Sequence, residues 1–325
     1  MANSAQAAGA PDGFRAALPI GWIALSVAGI LYSRAKSIPV ATALPVLAAI
    51  LVEYPFYLVP AFPEIRKRWA GKRLAVYFVV SAIVPYLICC FGAVHFDWTA
   101  LVRLAALAGA IGLWYIVLPV KPIVDLLFLA FTAGVLLFKY LEPIYPAPMR
   151  GVDVVILGHL ALIQMAVMEL LLVRRAPDPG YSFIPKRAEW RIGALHFVYF
   201  AVIGFPLALL LRATHLEAVD PLWKIAATFL GVLWVVSLSE EFFFRGMLQQ
   251  WIEDWTGKRT LALATTSVVF GLVHLGFRGF PNWRWALVGA VLGYFCGRAR
   301  NLAGSIRAGM VTHALTVAAW RAFFW

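Results

Sequence analysis

Acidic residues are scarce in this chain: Asp and Glu number 16 in 325 residues, and all charged residues together make up 14%. A soluble domain, in which about a quarter of the residues are charged, is thereby excluded. Cysteine is rarer still. Cys89, Cys90 and Cys296 lie inside apolar segments rather than at disulfide or zinc-type spacings, so they read as small buried apolar residues, and no cysteine-based metal site is expected. The opening MANSAQAAGAPDGF has no basic n-region, so no cleaved signal peptide is expected, and residues 1–16 read as a disordered tail. The period-two alternation of a membrane barrel is also missing.

What is there is apolar. Hydrophobic residues make up 62% of the chain, and the mean hydropathy is +0.82. Repeated runs long enough to cross about 30 Å of hydrocarbon are separated by Pro, Gly or Lys/Arg clusters, which makes helices the only spanning structure open to them. The expected fold is all-α: a polytopic transmembrane helical bundle of about 9–11 helices, over 17–34, 38–61, 74–95, 101–119, 122–139, 152–173, 192–212, 223–250, 259–277, 283–299 and 304–323. The fourth and fifth runs, split by LPVKP, are short enough to form one broken unit.

The formal charge of +12 would suggest nucleic acid in a soluble protein, but here Lys and Arg are scattered over interhelical loops, at 66–73, 174–191, 258–259 and 298–307 among others. They read as topology determinants, with no nucleic-acid partner. They favour an inner (plasma) membrane location with a cytoplasmic N-terminus. The polar stretch RRAPDPGYSFIPKRAEWR, residues 174–191, reads as a loop joining an N-terminal set of helices, 17–173, to a C-terminal domain, 192–325. The first set shows almost no ionisable group at membrane depth, so the chemistry is expected in the second.

There the segment SLSEEFFFRGML carries Glu240, Glu241 and Arg245 between lipid-like flanks. Charges at membrane depth are costly unless they pair or line a wet cavity. On a helix Glu241 and Arg245 meet at i,i+4, with the glutamate N-terminal, which suits an ion pair. Glu240 then points elsewhere, free to bind water as a general base, and Phe243 and Phe244 would desolvate it. A charge network at the membrane interface, near QQWIEDW, is the plainer alternative. His274 and His313 stand on two further apolar runs, where a lone histidine is more often a hydrogen-bonded packing residue than a catalyst. Five such groups on three of the last four helices point to a site that could activate water and stabilise an oxyanion on a peptide carbonyl. No HExxH is present, and no cysteine or aspartate is expected to join the group, so neither metal nor cofactor is expected.

These residues resemble the CAAX protease and bacteriocin-processing family of intramembrane endopeptidases, whose motifs are EExxxR, FxxxH and HxxxN or HxxxD on successive helices. The first corresponds to Glu240 through Arg245, the second to Phe270 through His274, and the third begins at His313. The resemblance covers about 190–323 and implies a glutamate-dependent protease acting on a membrane-embedded or lipidated protein or peptide in the bilayer. By it, Glu240 and His274 activate water, Glu241 and Arg245 support them, and His313 helps form the oxyanion hole. Val317 departs from the pattern, because it stands where Asn or Asp is expected and has no donor. Thr316 is the nearest substitute, and Thr312 is less well placed. A non-catalytic binding or immunity protein and a proton-coupled transporter are the rival functions.

Overall fold

In a computed structural model, residues 10–217, 219 and 221–324 are described. Eleven long helices and no strand occur among them. Contacts divide the chain into two compact units, Met1–Ala176 and Pro177–Trp325. Among the described residues eight helices are long and apolar enough to cross a membrane, and the protein is an integral membrane protein.

The first unit holds α1 (Ala10–Ala35), α2 (Val40–Ala61), α3 (Lys72–Cys89), α4 (Trp98–Val117), α5 (Pro122–Leu137) and α6 (Val155–Val173). The expected tail lies outside the described residues up to residue 9, and from Ala10 onward the chain is helical. The LPVKP segment separates two helices rather than bending one. Asp97 caps α4 by accepting from the Thr99 amide at 2.9 Å, and Pro122 opens α5 at a position where its missing N–H costs nothing.

This unit is not as apolar inside as its sequence suggests. Glu53, Asp125 and Glu169 are all buried. Gln164 donates to Glu53 Oε1 at 2.8 Å, and Tyr77 donates to the Phe56 carbonyl at 2.6 Å while also contacting Gln164. Arg174 grips Asp125 with two hydrogen bonds, 3.0 and 2.7 Å long, and Tyr115 donates to the same carboxylate at 2.8 Å. The expectation of a nearly charge-free first half is therefore corrected. Each carboxylate is isolated in its own apolar run, and only packing between helices supplies its partner.

The second unit holds α7 (Arg187–Leu210), α8 (Leu222–Thr256), α9 (Arg259–Gly276), α10 (Trp283–Ala303) and α11 (Ile306–Phe323). Helix α8 is long because nothing breaks it before Gly257, which ends it in a left-handed conformation at φ 66°. Within it the winding alternates: Val232–Ser237 and Phe242–Gln249 are π-helical, and the single α turn between them is Leu238–Glu241. Such wide turns are rare and collect at functional sites.

Close approach of α9 to α10 rests on small residues. A Cβ on Gly271 would lie 2.3 Å from the Ala286 carbonyl oxygen, and one on Gly293 would lie 3.1 Å from Ser267 Cα. Gly289, Gly293 and Gly297 recur every fourth residue along α10, the spacing that lets membrane helices touch backbone to backbone. The α11 start is fixed by Ser305, which accepts from the Arg307 amide at 3.3 Å, and by Arg307, which donates to Glu189 of α7 at 2.7 and 3.0 Å.

Candidate active site

The α turn of α8 turns its two glutamates to different surroundings. Glu241 is fully buried and accepts from Arg245, also fully buried, at 2.8 Å. The same Oε1 lies 3.1 Å from His313 Nδ1. Arg245 also donates to the Gly293 carbonyl of α10 at 3.0 Å, and its guanidinium stacks 4.3 Å from the centre of the Phe270 ring. One arginine thus ties α8 to α10 and α9, and a desolvated charge is matched by a carboxylate, a carbonyl and a ring face.

Glu240 sits apart from that pair. Its side chain keeps 34% of its exposure, and Oε2 lies 3.8 Å from His313 Nε2, beyond hydrogen-bond reach. That oxygen is itself buried and has no hydrogen-bond partner. The phenylalanines expected to desolvate Glu240 pack on other rings, Phe243 against Phe242 and Phe244 against Phe270, so the carboxylate is only part-covered.

Histidine tautomers follow from these contacts. Between His313 and the Glu241 carboxylate only the ring can supply a hydrogen, so Nδ1–H donates and Nε2 is turned toward Glu240. His274 Nδ1 lies 2.7 Å from the Phe270 carbonyl, which only accepts, so here too the Nδ1–H is committed and Nε2 is left for chemistry. Phe270 separates the two imidazoles, with its ring centre 4.9 Å from His274 and 5.7 Å from His313. Hydrogen bonds join Glu241, Arg245 and His313, Glu240 stands 3.8 Å from His313, and His274 lies on the other side of the Phe270 ring.

The hydroxyls considered as substitutes for an Asn or Asp at 317 are hydrogen-bonded to backbone carbonyls. Thr316 donates to the Thr312 carbonyl at 2.9 Å, and Thr312 Oγ1 lies 3.0 Å from the Gly193 carbonyl and 3.1 Å from that of Ala308. Both hydroxyls are thus engaged with backbone carbonyls. A separate charge network lies near QQWIEDW and is formed by other residues. Arg300 donates to Glu253 at 3.2 Å and also contacts Gln250, near the C-terminal end of α8.

Two residues at the site were missed by sequence reasoning. Cys296 of α10 joins the group after all: one donor atom each from Glu241, Cys296 and His313 lie within 4.8 Å of one another. Three such donors could begin a zinc site. The Glu241 oxygen, however, already accepts from a guanidinium whose charge opposes a dication there. Gly309 of α11 was also missed, and a Cβ there would lie 2.5 Å from Glu241 Oε2. A signal was present in the run AGMVTH, where a glycine falls four residues before the histidine, but only packing shows what it faces.

Comparison with family models matches residues 222–319 to the family described as type II CAAX prenyl endopeptidase Rce1-like. This segment is Rce1-like. It runs from the start of α8 into α11 and contains all five polar residues of the site. The match agrees with the family resemblance carried by the three motifs, and the Rce1-like family implies a protease at the level of reaction class. No curated protein and no solved structure matches the chain.

Proposed function

We propose that the protein is a glutamate-dependent intramembrane endopeptidase, hydrolysing a peptide bond in a membrane-embedded or lipidated protein or peptide. The observation that carries this reading is the contrast between neighbours: Glu241 is fully buried with its Oε1 held by Arg245 and His313, while Glu240 keeps 34% of its exposure and its Oε2 has no partner beside His313 Nε2. A part-exposed carboxylate with an oxygen that no protein group satisfies is a place for water and for the proton taken from it.

In this account water bound at Glu240 attacks the peptide carbonyl carbon as its proton passes to the carboxylate. The carbonyl π electrons move to oxygen. Collapse of the tetrahedral adduct expels the amine, which takes up the proton held by Glu240. His274 assists from Nε2. For His313 to donate to the oxyanion from Nε2, that nitrogen must carry a second ring proton, since the Nδ1–H is already given to Glu241. Arg245 and Glu241 are positioning residues. The N-terminus is cytoplasmic in this account, and the protein resides in the inner (plasma) membrane.

A second reading, a family-like binder without the reaction, draws support from Val317 and from the committed hydroxyls of Thr312 and Thr316. Mass spectrometry of protein termini in host membranes separates the two, comparing wild type with Glu240→Gln at equal abundance. The protease reading expects a small set of uncut termini in the variant. Identical sets, with the variant folded, favour the binder.

A further inference from the structure

Between α2, α3 and α6 of the first unit three fully buried polar side chains meet: Glu53, Tyr77 and Gln164. The Tyr77 hydroxyl lies 2.6 Å from the Phe56 carbonyl and also contacts the amide of Gln164, whose other end lies 2.8 Å from Glu53 Oε1. Glu53 Oε2 is buried and has no hydrogen-bond partner. No lysine, arginine or histidine among the described residues pairs with this carboxyl, and the titratable side chains beside it, Tyr77 and Tyr145, are phenols.

The hydrogens along this row can be counted. In a helix the Phe56 carbonyl would accept from the amide four residues on, but that residue is Pro60 and carries no N–H. The Tyr77 hydroxyl takes the missing donor's place, and since a carbonyl has no hydrogen to give, the one hydrogen of the phenol is committed there. The contact between Tyr77 and Gln164 must then receive its hydrogen from the amide. With the amide oxygen toward Tyr77, two acceptors would stand face to face. Turning the amide over exchanges two atoms of nearly equal size, keeps each distance, and lets the N–H donate to Tyr77 in place of Glu53. The amide oxygen then faces Glu53 Oε1 at 2.8 Å, and the hydrogen between those two oxygens can come only from the carboxyl.

Electrostatics point the same way. An ionised Glu53 would be a bare charge at membrane depth with one neutral amide as its partner, a costly arrangement. Asp125 shows how the same unit holds a buried charge, because it is ion-paired with Arg174 at 2.7 Å and also accepts from Tyr115. Glu53 has no such match.

We propose that Glu53 is a proton-binding site, holding one proton as a structural ligand. The neutral acid heads a one-way chain of hydrogen bonds, from Glu53 to Gln164 to Tyr77 to the Phe56 carbonyl, which pins α6 and α3 to the end of α2 that Pro60 interrupts. The assignment is independent of the proteolytic reading. Infrared difference spectroscopy of the full-length protein in lipid nanodiscs at neutral pH tests it, comparing wild type with Glu53→Gln. The expected result is a protonated-carboxyl C=O band in wild type that is lost in the variant. Gln164→Leu, which removes the acceptor, is expected to keep that band but shift it to the higher frequency of an acid without a hydrogen bond, and it carries the test should Glu53→Gln not fold. A folded Glu53→Gln protein that retains the whole band overturns the proposal, as does a band that stays in place in Gln164→Leu. A melting temperature that rises with sodium at fixed ionic strength in wild type but not in Glu53→Gln also overturns it, by assigning the site to a metal cation instead of a proton.

Discussion

Arg245 carries the largest interaction load of any single residue in the site. Its charge is fully buried, and removing it leaves Glu241 buried beside a neutral ring and an imidazole. Breaking a buried pair from one side costs about 3–5 kcal/mol. Arg245→Ala should therefore unfold far more readily than wild type in denaturant titrations in detergent, whereas Glu240→Gln should unfold nearly as wild type does. Gly309→Ala makes a different test. The added methyl would have to displace Glu241 Oε2, so cleavage should fall strongly while the protein remains folded, measured as turnover beside melting temperature. At this scale the i,i+4 pairing of Glu241 with Arg245 could be read from spacing, because it lies within one helix. The contacts of Cys296 and Gly309 could not, because they depend on how α10 and α11 lie against α8.

Helices bring these residues together through two devices. In α8 the α turn Leu238–Glu241 lies between π-helical stretches, so the direction of Glu240 is set by a winding that a uniform 3.6-residue period does not describe. Apolar runs identify the helix, but their composition says nothing of its local pitch. Between α9 and α10 the device is a seam of glycines, and it holds the helix that carries His274 in its last turn. Gly271→Ala, whose methyl would meet the Ala286 carbonyl, should separate the pair and cost about 1–3 kcal/mol, visible as a lowered melting temperature together with weakened cleavage. The eleven apolar runs in the sequence correspond to the eleven long helices, with ends displaced where caps such as Asp97 and Ser305 decide the boundary.

Across the molecule, polar groups are hidden in both units and not only in the one with the family match. In the first, Asp125 is 1% exposed and Arg174 13% exposed, so Arg174→Ala should destabilise the protein by about 3 kcal/mol without touching the second unit's site. Chemical unfolding followed beside proteolytic activity checks that separation. Sequence reading placed the chemistry late in the chain from EExxxR, FxxxH and the His313 position, all of which are local signals. It overlooked Glu53, Asp125 and Glu169 because a lone acid in an apolar run looks like an exception until its partner on another helix is known. The charge bias of the loops predicts a cytoplasmic N-terminus, and a thiol-labelling scan with single cysteines at the N-terminus and near Lys258 should find both on the cytoplasmic face.

The central claim is that Glu240, and not its buried neighbour, acts on water. Its most direct test is the cleavage rate of purified wild type and Glu240→Gln in lipid nanodiscs, on the substrate identified from membrane termini, with folding checked by melting temperature. The account predicts a loss on the order of 10²–10⁴-fold with little change in melting. A folded Glu240→Gln protein that cleaves at the wild-type rate would contradict it.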